Sequence, residues 1–347
     1  MLFLHPLMKK NVLFIVNPVS GTTGKGNITH DIESLIDKGA FDYAIVQTEY
    51  AGHAAELASG AAAKGVDIVV AVGGDGTVNE VARSIVHTPT ALGVIPCGSG
   101  NGLARHLQIP LETRKAMHII NQATIHCLDY GTINGRPFFC TCGVGFDAFI
   151  STKFATAKKR GFLTYIENTL REGLRYKPET YTIEDDEGTF KNEAFLIACA
   201  NASQYGNNAY IAPNASMKDG LMDVTVMEPF NAIEAPQIAI QLFNRTIDHN
   251  SHIKTFRTKK VIITRQTEGA AHCDGEPMTT GKTIEVEIVK KSFNVVVNPE
   301  AHTHKEGMRQ IFADYFTGLA TIQQELRLNS DNLKALNKSF IDKLKKL

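Results

Sequence analysis

The chain has no tryptophan, no net charge and no long apolar run. Lys+Arg and Asp+Glu both number 36 across 347 residues, so no global basic field draws nucleic acid, and no nucleic-acid partner is expected. No apolar stretch approaches the roughly 20 residues that cross a bilayer. The opening MLFLHPLMKK carries its charges after its apolar residues, a poor match to a secretory leader. The six cysteines, Cys97, Cys127, Cys140, Cys142, Cys199 and Cys273, form no CxxC pair. That disfavours a zinc site and suits a reduced, cytoplasmic chain. Two nucleotide signatures are also missing. GTTGKGN lacks the Walker spacing, and GSGNG is not the GxGxxG of a hydride-transfer fold.

What is present is enough apolar material for real cores: 43% hydrophobic against 21% charged. The first third alternates strand and helix patterns. Strands are expected over Lys10 to Pro18, Phe41 to Thr48, Val66 to Val72 and Ala91 to Ile95, with helices over Ile28 to Lys38, Gly52 to Lys64 and Glu112 to Gln122. Such β-α repetition implies a parallel sheet covered on both faces, with ligands beyond the carboxyl ends of its strands. Four glycine or polar loops fall at that edge: NPVSG, QTEYAGH, GGDGTVNE and GSGN.

AVGGDGTVNEV (Ala71 to Val81) is the most informative of these. Its glycines let the backbone turn and approach a ligand closely. Thr77 is placed to cap the following helix, whose free N–H groups attract an anion. Asp75 would repel a phosphate unless Mg²⁺ or a transferable proton lies between them. That combination reads as phosphoryl transfer from a nucleotide.

After about Ala123 the pattern changes. Asn134-Gly135 reads as a hairpin turn. A helix is expected over Phe154 to Tyr176, with a basic start at Lys158 to Arg160, and another over Ala232 to Phe243. Strand-like runs cover Thr180 to Glu184, Ala194 to Ala200, Leu221 to Met227, Lys259 to Arg265, Thr283 to Lys290 and Phe293 to Val297. We expect an α/β domain over 9–130, a mainly antiparallel β-sandwich domain over 131–298, and a helical C-terminal extension over 299–347. Two apolar stripes in that extension (Ile311 to Leu326 and Leu333 to Leu347) read as helices packed on the body, with a homodimer contact or a membrane surface as the alternative.

NPVSG, GGDGTVNEV, PCGSGNGLARHL and DGEP, in that order from Lys10 to Asn298, resemble the diacylglycerol kinase catalytic-domain family. Its relatives include the sphingosine and ceramide kinases. The resemblance implies an NAD kinase/phosphofructokinase-like parallel sheet, a β-sandwich, and ATP with Mg²⁺ in the cleft between them. It places Asn17, Pro18, Ser20, Gly21 and Thr48 at the nucleotide. Gly73, Gly74, Gly76 and Thr77 would cradle phosphates, Asn79 and Glu80 would support that loop, and Ser99 would complete the pocket. Asp75 would hold Mg²⁺ or orient the lipid hydroxyl. Asp274 is the expected base, with Glu276 close behind. Ser216, Asp219 and Leu221 resemble a structural Mg²⁺ segment. Diacylglycerol is the leading substrate, met at the inner membrane surface. The alternatives are a sphingoid base or ceramide, an NAD-kinase-like soluble substrate, and a non-catalytic nucleotide- or lipid-binding regulator.

Overall fold

The computed structural model describes residues 9–20, 28–156, 173, 176–231 and 233–301. Gly21, the Lys158 to Arg160 cluster and the expected helices of 302–347 fall outside them.

Four parallel strands open the chain: β1 (Lys10–Val16), β2 (Phe41–Gln47), β3 (Ile68–Gly73) and β4 (Ala91–Pro96), in the order β2-β1-β3-β4. β3 (IVVAVG) and β4 (ALGVIP) are buried at every position, as short continuous apolar runs predict. Between the strands run α1 (Ile28–Leu35), α2 (His53–Ala63) and α3 (Asp75–Ile85). After β4 come α4 (Gly102–His106) and α5 (Thr113–Gln122). The alanines of α2 do structural work: Ala54, Ala58 and Ala61 are buried and let it lie close against α3.

The second half begins with β5 (Ile125–Ile133) and β6 (Arg136–Phe138), joined by Asn134-Gly135. Both turn residues have positive φ (48° and 80°), the type I′ hairpin that Asn-Gly favours. Then follow β7 (Thr141–Gly145), α6 (Phe146–Thr156), β8 (Glu179–Asp185), β9 (Gly188–Ala194), β10 (Leu196–Ala200), β11 (Met222–Met227) and α7 (Ala235–Phe243). The chain ends its described part with β12 (Ile253–Thr258), β13 (Lys260–Thr264), β14 (Gly269–Cys273), β15 (Glu276–Thr280) and β16 (Thr283–Val296). Six of these form one antiparallel sheet, β12-β11-β10-β7-β14-β15. Its apolar face (Val144, Ile197, Val224) shares one core with Ile183, Val261, Ile263 and Ile284 of the other sheet, which makes a β-sandwich.

β16 connects the two halves. It pairs antiparallel with β13 and β5, and its far end lies parallel to β4 at Val295 and Leu92. The parallel sheet therefore continues into the sandwich as one ten-stranded sheet. Two separate strands were expected here. The structure instead has one strand with a register shift between Val289 and Phe293, where Lys291 takes φ 47°. Helix α6 begins at Phe146, eight residues ahead of the expected start, and Phe146 and Phe149 pack with Tyr176. Strand β9 (GTFKNEA) escapes a pattern search because an edge strand exposed along most of its length has little apolar alternation to read.

Asp129 pins that irregular stretch. It is 1% exposed, and its two carboxylate oxygens accept the Lys291 N–H (2.8 Å) and the Gly220 N–H (2.7 Å). The Gly220 bond is buried, so losing its acceptor there leaves a donor away from water. Asp129→Ala should therefore destabilise the fold by roughly 2–4 kcal/mol, and Asp129→Asn by less, since it keeps one acceptor. The shift in urea midpoint of each variant measures this.

Candidate active site

Each expected loop leaves the carboxyl end of its strand, so the loops meet at one edge. A cleft of about 490 Å³ lies there, with Asp75, Gly76, Asn79 and Ser99 on one side and Asp274, Gly275 and Glu276 on the other.

The GGDGT loop turns directly into α3. Gly74 is the N-cap and Asp75 the first helical residue. Thr77 thus sits inside the first turn, not at the cap; it is buried, and its hydroxyl accepts the Asn17 side-chain amide at 2.9 Å. That bond ties NPVSG to GGDGT. A Cβ on Gly73 would come within 2.6 Å of the Thr77 side chain, and one on Gly98 within 2.6 Å of the Gly74 Cα. Only glycine permits these approaches. The N–H groups of the first turn of α3 have no intrahelical acceptors, so they offer a site for a phosphate.

Asp75 turns its carboxylate onto the neighbouring loop. Its oxygens accept the N–H of Asn101 (2.9 Å) and of Gly102 (2.7 Å), the start of α4. The Asn101 side chain in turn closes GSGN on itself by bonding both the N–H and the carbonyl of Gly98. Glu80 points the other way, accepting the Gly52 N–H at 3.0 Å and holding the QTEYAGH loop. Thr48 sits at the end of β2, its N–H bonded to the Val16 carbonyl.

The DGE loop comes from the β14–β15 hairpin. Asp274 and Gly275 form its turn with φ 48° and 80°. This turn curls the Asp274 carboxylate back into the chain, where it takes four donors. Oδ1 accepts Cys140 N–H (2.7 Å) and Thr141 N–H (3.1 Å); Oδ2 accepts Phe139 N–H (2.8 Å) and Asn79 Nδ2 (2.8 Å). Burial pushes the Asp274 carboxyl above its ordinary range, and these four donors pull it back. With all its lone pairs engaged, Asp274 has no free position for an incoming proton. Glu276 differs. Its side chain is 41% exposed, its Oε2 pairs with Arg136 at 2.5 Å, and its Oε1 lies 3.8 Å from where a Gly76 Cβ would sit.

Asn79 adds an unclaimed oxygen. Its amide nitrogen must face the Asp274 carboxylate, which fixes the flip. Its Oδ1 is then buried, lines the cleft and has no partner. Together with Asp75 this is a donor set that suits Mg²⁺, which takes one or two carboxylates and completes its shell with water and substrate phosphates. Ser216, Asp219 and Leu221 lie in another loop, away from the cleft lining. The Asp219 carboxylate there bonds Arg257 and the Leu221 N–H.

One group escaped the sequence reading. Asp147, at the start of α6, lines the cleft opposite the phosphate loops. Its Oδ2 meets His272 Nε2 at 2.9 Å and the Tyr205 hydroxyl at 3.2 Å. Gly143 makes room for the pair, since a Cβ there would stand 2.8 Å from Asp147 Oδ2. GFDAFI carries no signal beyond an acidic residue at a helix start. His53, by contrast, stacks on Tyr50 and accepts the Glu49 N–H.

A glycine-bounded helix start, a second-sheet carboxylate loop and a shared cleft are what phosphoryl transfer to a hydroxyl requires. Residues 11–133 match the diacylglycerol kinase catalytic domain, and residues 140–297 the YegS C-terminal NAD kinase beta sandwich-like domain. The chain belongs to the diacylglycerol kinase catalytic-domain family, whose class is the lipid kinases. Among its relatives, a diacylglycerol kinase of Staphylococcus saprophyticus is 27% identical over 275 residues, spanning 78% of this chain and 90% of its own. A diacylglycerol kinase of Bacillus subtilis is 27% identical over 273 residues, spanning 77% and 90%. A solved diacylglycerol kinase structure from Bacillus anthracis shares the fold, with TM-score 0.64 and 24% identity over 84% of this chain and 97% of that one.

His106 locks α4 against the second half. Its Nδ1 accepts the Ser203 N–H at 3.1 Å, and burial, with the Arg245 and Lys218 charges, pushes it down to about 4 from 6.5. Between those values the unfolded chain binds the proton and the folded chain does not, so stability falls as pH drops from 6.5 to about 4. The full loss is about 3 kcal/mol. His106→Asn, whose Oδ1 replaces Nδ1 as acceptor, should flatten this slope. Urea melts of both proteins at pH 7 and pH 4.5 measure the difference, in which the contribution of Asp274 cancels.

Proposed function

We propose that this protein is an ATP- and Mg²⁺-dependent lipid kinase, with diacylglycerol as the leading substrate and phosphatidic acid as the product. The observation that carries this reading is Glu276. It is the carboxylate of the DGE loop that remains open to the cleft, and it faces Gly76 at the start of α3.

In this reading the ATP phosphates lie against the first-turn N–H groups of α3, with Asn17, Pro18, Ser20, Gly73, Gly74, Thr77 and Ser99 shaping the bed. Gly21 would extend that bed beyond the described residues, and Thr48 and Glu80 border it. Asp75 and Asn79 Oδ1 would hold Mg²⁺, which when bound would supply charge neutralisation for the transferring phosphoryl group. The lipid hydroxyl oxygen attacks the γ-phosphorus as Glu276 takes its proton. The bond to the β-phosphate oxygen breaks, and ADP leaves. Asp274 serves as the post that holds Asn79 and the β6–β7 turn in place. Arg136 orients Glu276.

The walls favour a lipid over a soluble acceptor. Val78, Leu103, Phe139 and Phe243 line the same cleft as the carboxylates. A second reading, a sphingoid base, is favoured by Asp147, whose carboxylate on that wall would pair with an ammonium. The Ser216, Asp219 and Leu221 turn stays a proposed second Mg²⁺ site; there, Asp219 would exchange Arg257 for the cation.

The test is label transfer from γ-labelled ATP to micelles of diacylglycerol, sphinganine or ceramide, with NAD as the soluble control. Label should enter a lipid. Glu276→Gln should lower kcat by roughly 10²-fold or more while leaving ATP binding intact. Asp274→Asn should instead lower the melting temperature. Label in NAD alone would overturn the lipid reading, and an active Glu276→Gln would overturn its assignment as base.

A further inference from the structure

Helix α7, APQIAIQLF, carries no charged side chain over nine residues. Its inner face is seated: Ile238 is buried and Leu242 packs with it in the core cluster that holds Phe195, Ile211 and Met227. Its outer face is not polar. Ile233, just ahead of the helix, is 89% exposed; Ile240 is 47% and Phe243 39% exposed. Ile240 and Phe243 lie one turn apart on one side of the helix, and with Ile233 in the turn that leads into it they make the exposed apolar stripe. Gln237 is the polar residue within it. A surface helix normally turns such a stripe inward.

The stripe has a direction. Phe243 is both its last member and a lining residue of the cleft that holds Asp75 and Glu276. The exposed apolar face thus ends on a side chain that lines the cleft. Among the described residues no helix is long and apolar enough to cross a membrane, and α7 spans only about 13 Å. The outward isoleucine and phenylalanine side chains of an uncharged helix this short are apolar area that a headgroup–acyl boundary can bury.

We infer that the Ile233–Ile240–Phe243 stripe of α7 is the surface by which this protein docks on a lipid bilayer, placing the cleft mouth against the membrane from which it draws its substrate. This rests on the lipid-kinase reading and specifies the surface that reading requires.

Ile233 and Ile240 lie outside the cleft lining, so they can be changed without touching the chemistry. The experiment compares the parent protein, Ile233→Glu/Ile240→Glu and Ile233→Trp/Ile240→Trp. Each is sedimented with phosphatidylcholine–phosphatidylglycerol vesicles and assayed on two substrates, long-chain diacylglycerol in those vesicles and short-chain diacylglycerol dissolved as monomer. The Glu variant should lose vesicle binding by roughly tenfold or more per isoleucine. Its turnover of vesicle substrate should fall in step, with monomer turnover and melting temperature unchanged. The Trp variant should bind at least as tightly as the parent. Unchanged vesicle binding by the Glu variant overturns the docking surface. A fall in the sedimentation-equilibrium mass of the Glu variant without a change in vesicle binding also overturns it, and assigns the stripe to a second copy of the chain. A parent protein inactive on both substrates would sink the diacylglycerol reading, while the vesicle comparison would still decide the surface.

Discussion

Asp75 and Asp274 use their hydrogen-bonding capacity largely on backbone N–H groups, and the cleft depends on them. Asp75 takes the N–H groups of Asn101 and Gly102, so the second phosphate-edge loop is set by the first. Asp274 takes three consecutive N–H groups, Phe139 to Thr141, and reaches the Asn79 amide on α3. The bond between Asn79 and Asp274 joins the helix that begins the phosphate site to the hairpin that brings Glu276. A buried donor left without its acceptor is costly, so each loop has one low-energy position. The side chains that face the cleft inherit that position without making many contacts of their own.

The longer-range scaffold rests on β16. A strand that runs antiparallel through the sandwich and ends parallel beside β4 makes one sheet of what would otherwise be two. To do both it must change register, and the irregular stretch near Lys291 is where it does so. Asp129 holds that stretch and the Gly220 turn together from below. The cleft edge is thus fixed from two directions: locally by the loop carboxylates, and globally by a continuous ladder of strand pairing.

Neighbouring acidic residues have different surroundings here. Asp274 is half-buried with its carboxylate saturated by donors, Glu276 two residues later is part-exposed with one cationic neighbour, and Asp147 across the cleft shares a buried histidine. The type I′ turn at Asp274-Gly275 makes the difference within DGE, because it turns one side chain inward and leaves the next facing the cleft. Chemical type alone does not separate the two.

Much of this was legible along the chain. The continuous apolar runs of β3 and β4 announce strands buried on both faces, because such runs have no polar side to show water. The Asn-Gly turn at 134 and 135 follows from which residues tolerate positive φ. The order of NPVSG, GGDGT, GSGN and DGEP marks the family, and the β-α alternation predicts that the first three gather at one edge. These are local or periodic properties, and a linear string carries them. Other features arise only when distant segments meet. Thr77 bonds Asn17 in place of capping its helix, β16 is one strand and not two, and Asp147 joins a cleft through His272, 125 residues away. No local pattern marks which carboxylate of DGE will be saturated, since its four donors come from residues 79 and 139–141. The sequence by itself determined the elements, the turns and the chemistry available at the sheet edge. The tertiary structure decided which of those groups remain open to a ligand, because hydrogen-bond satisfaction and burial are properties of neighbours in space.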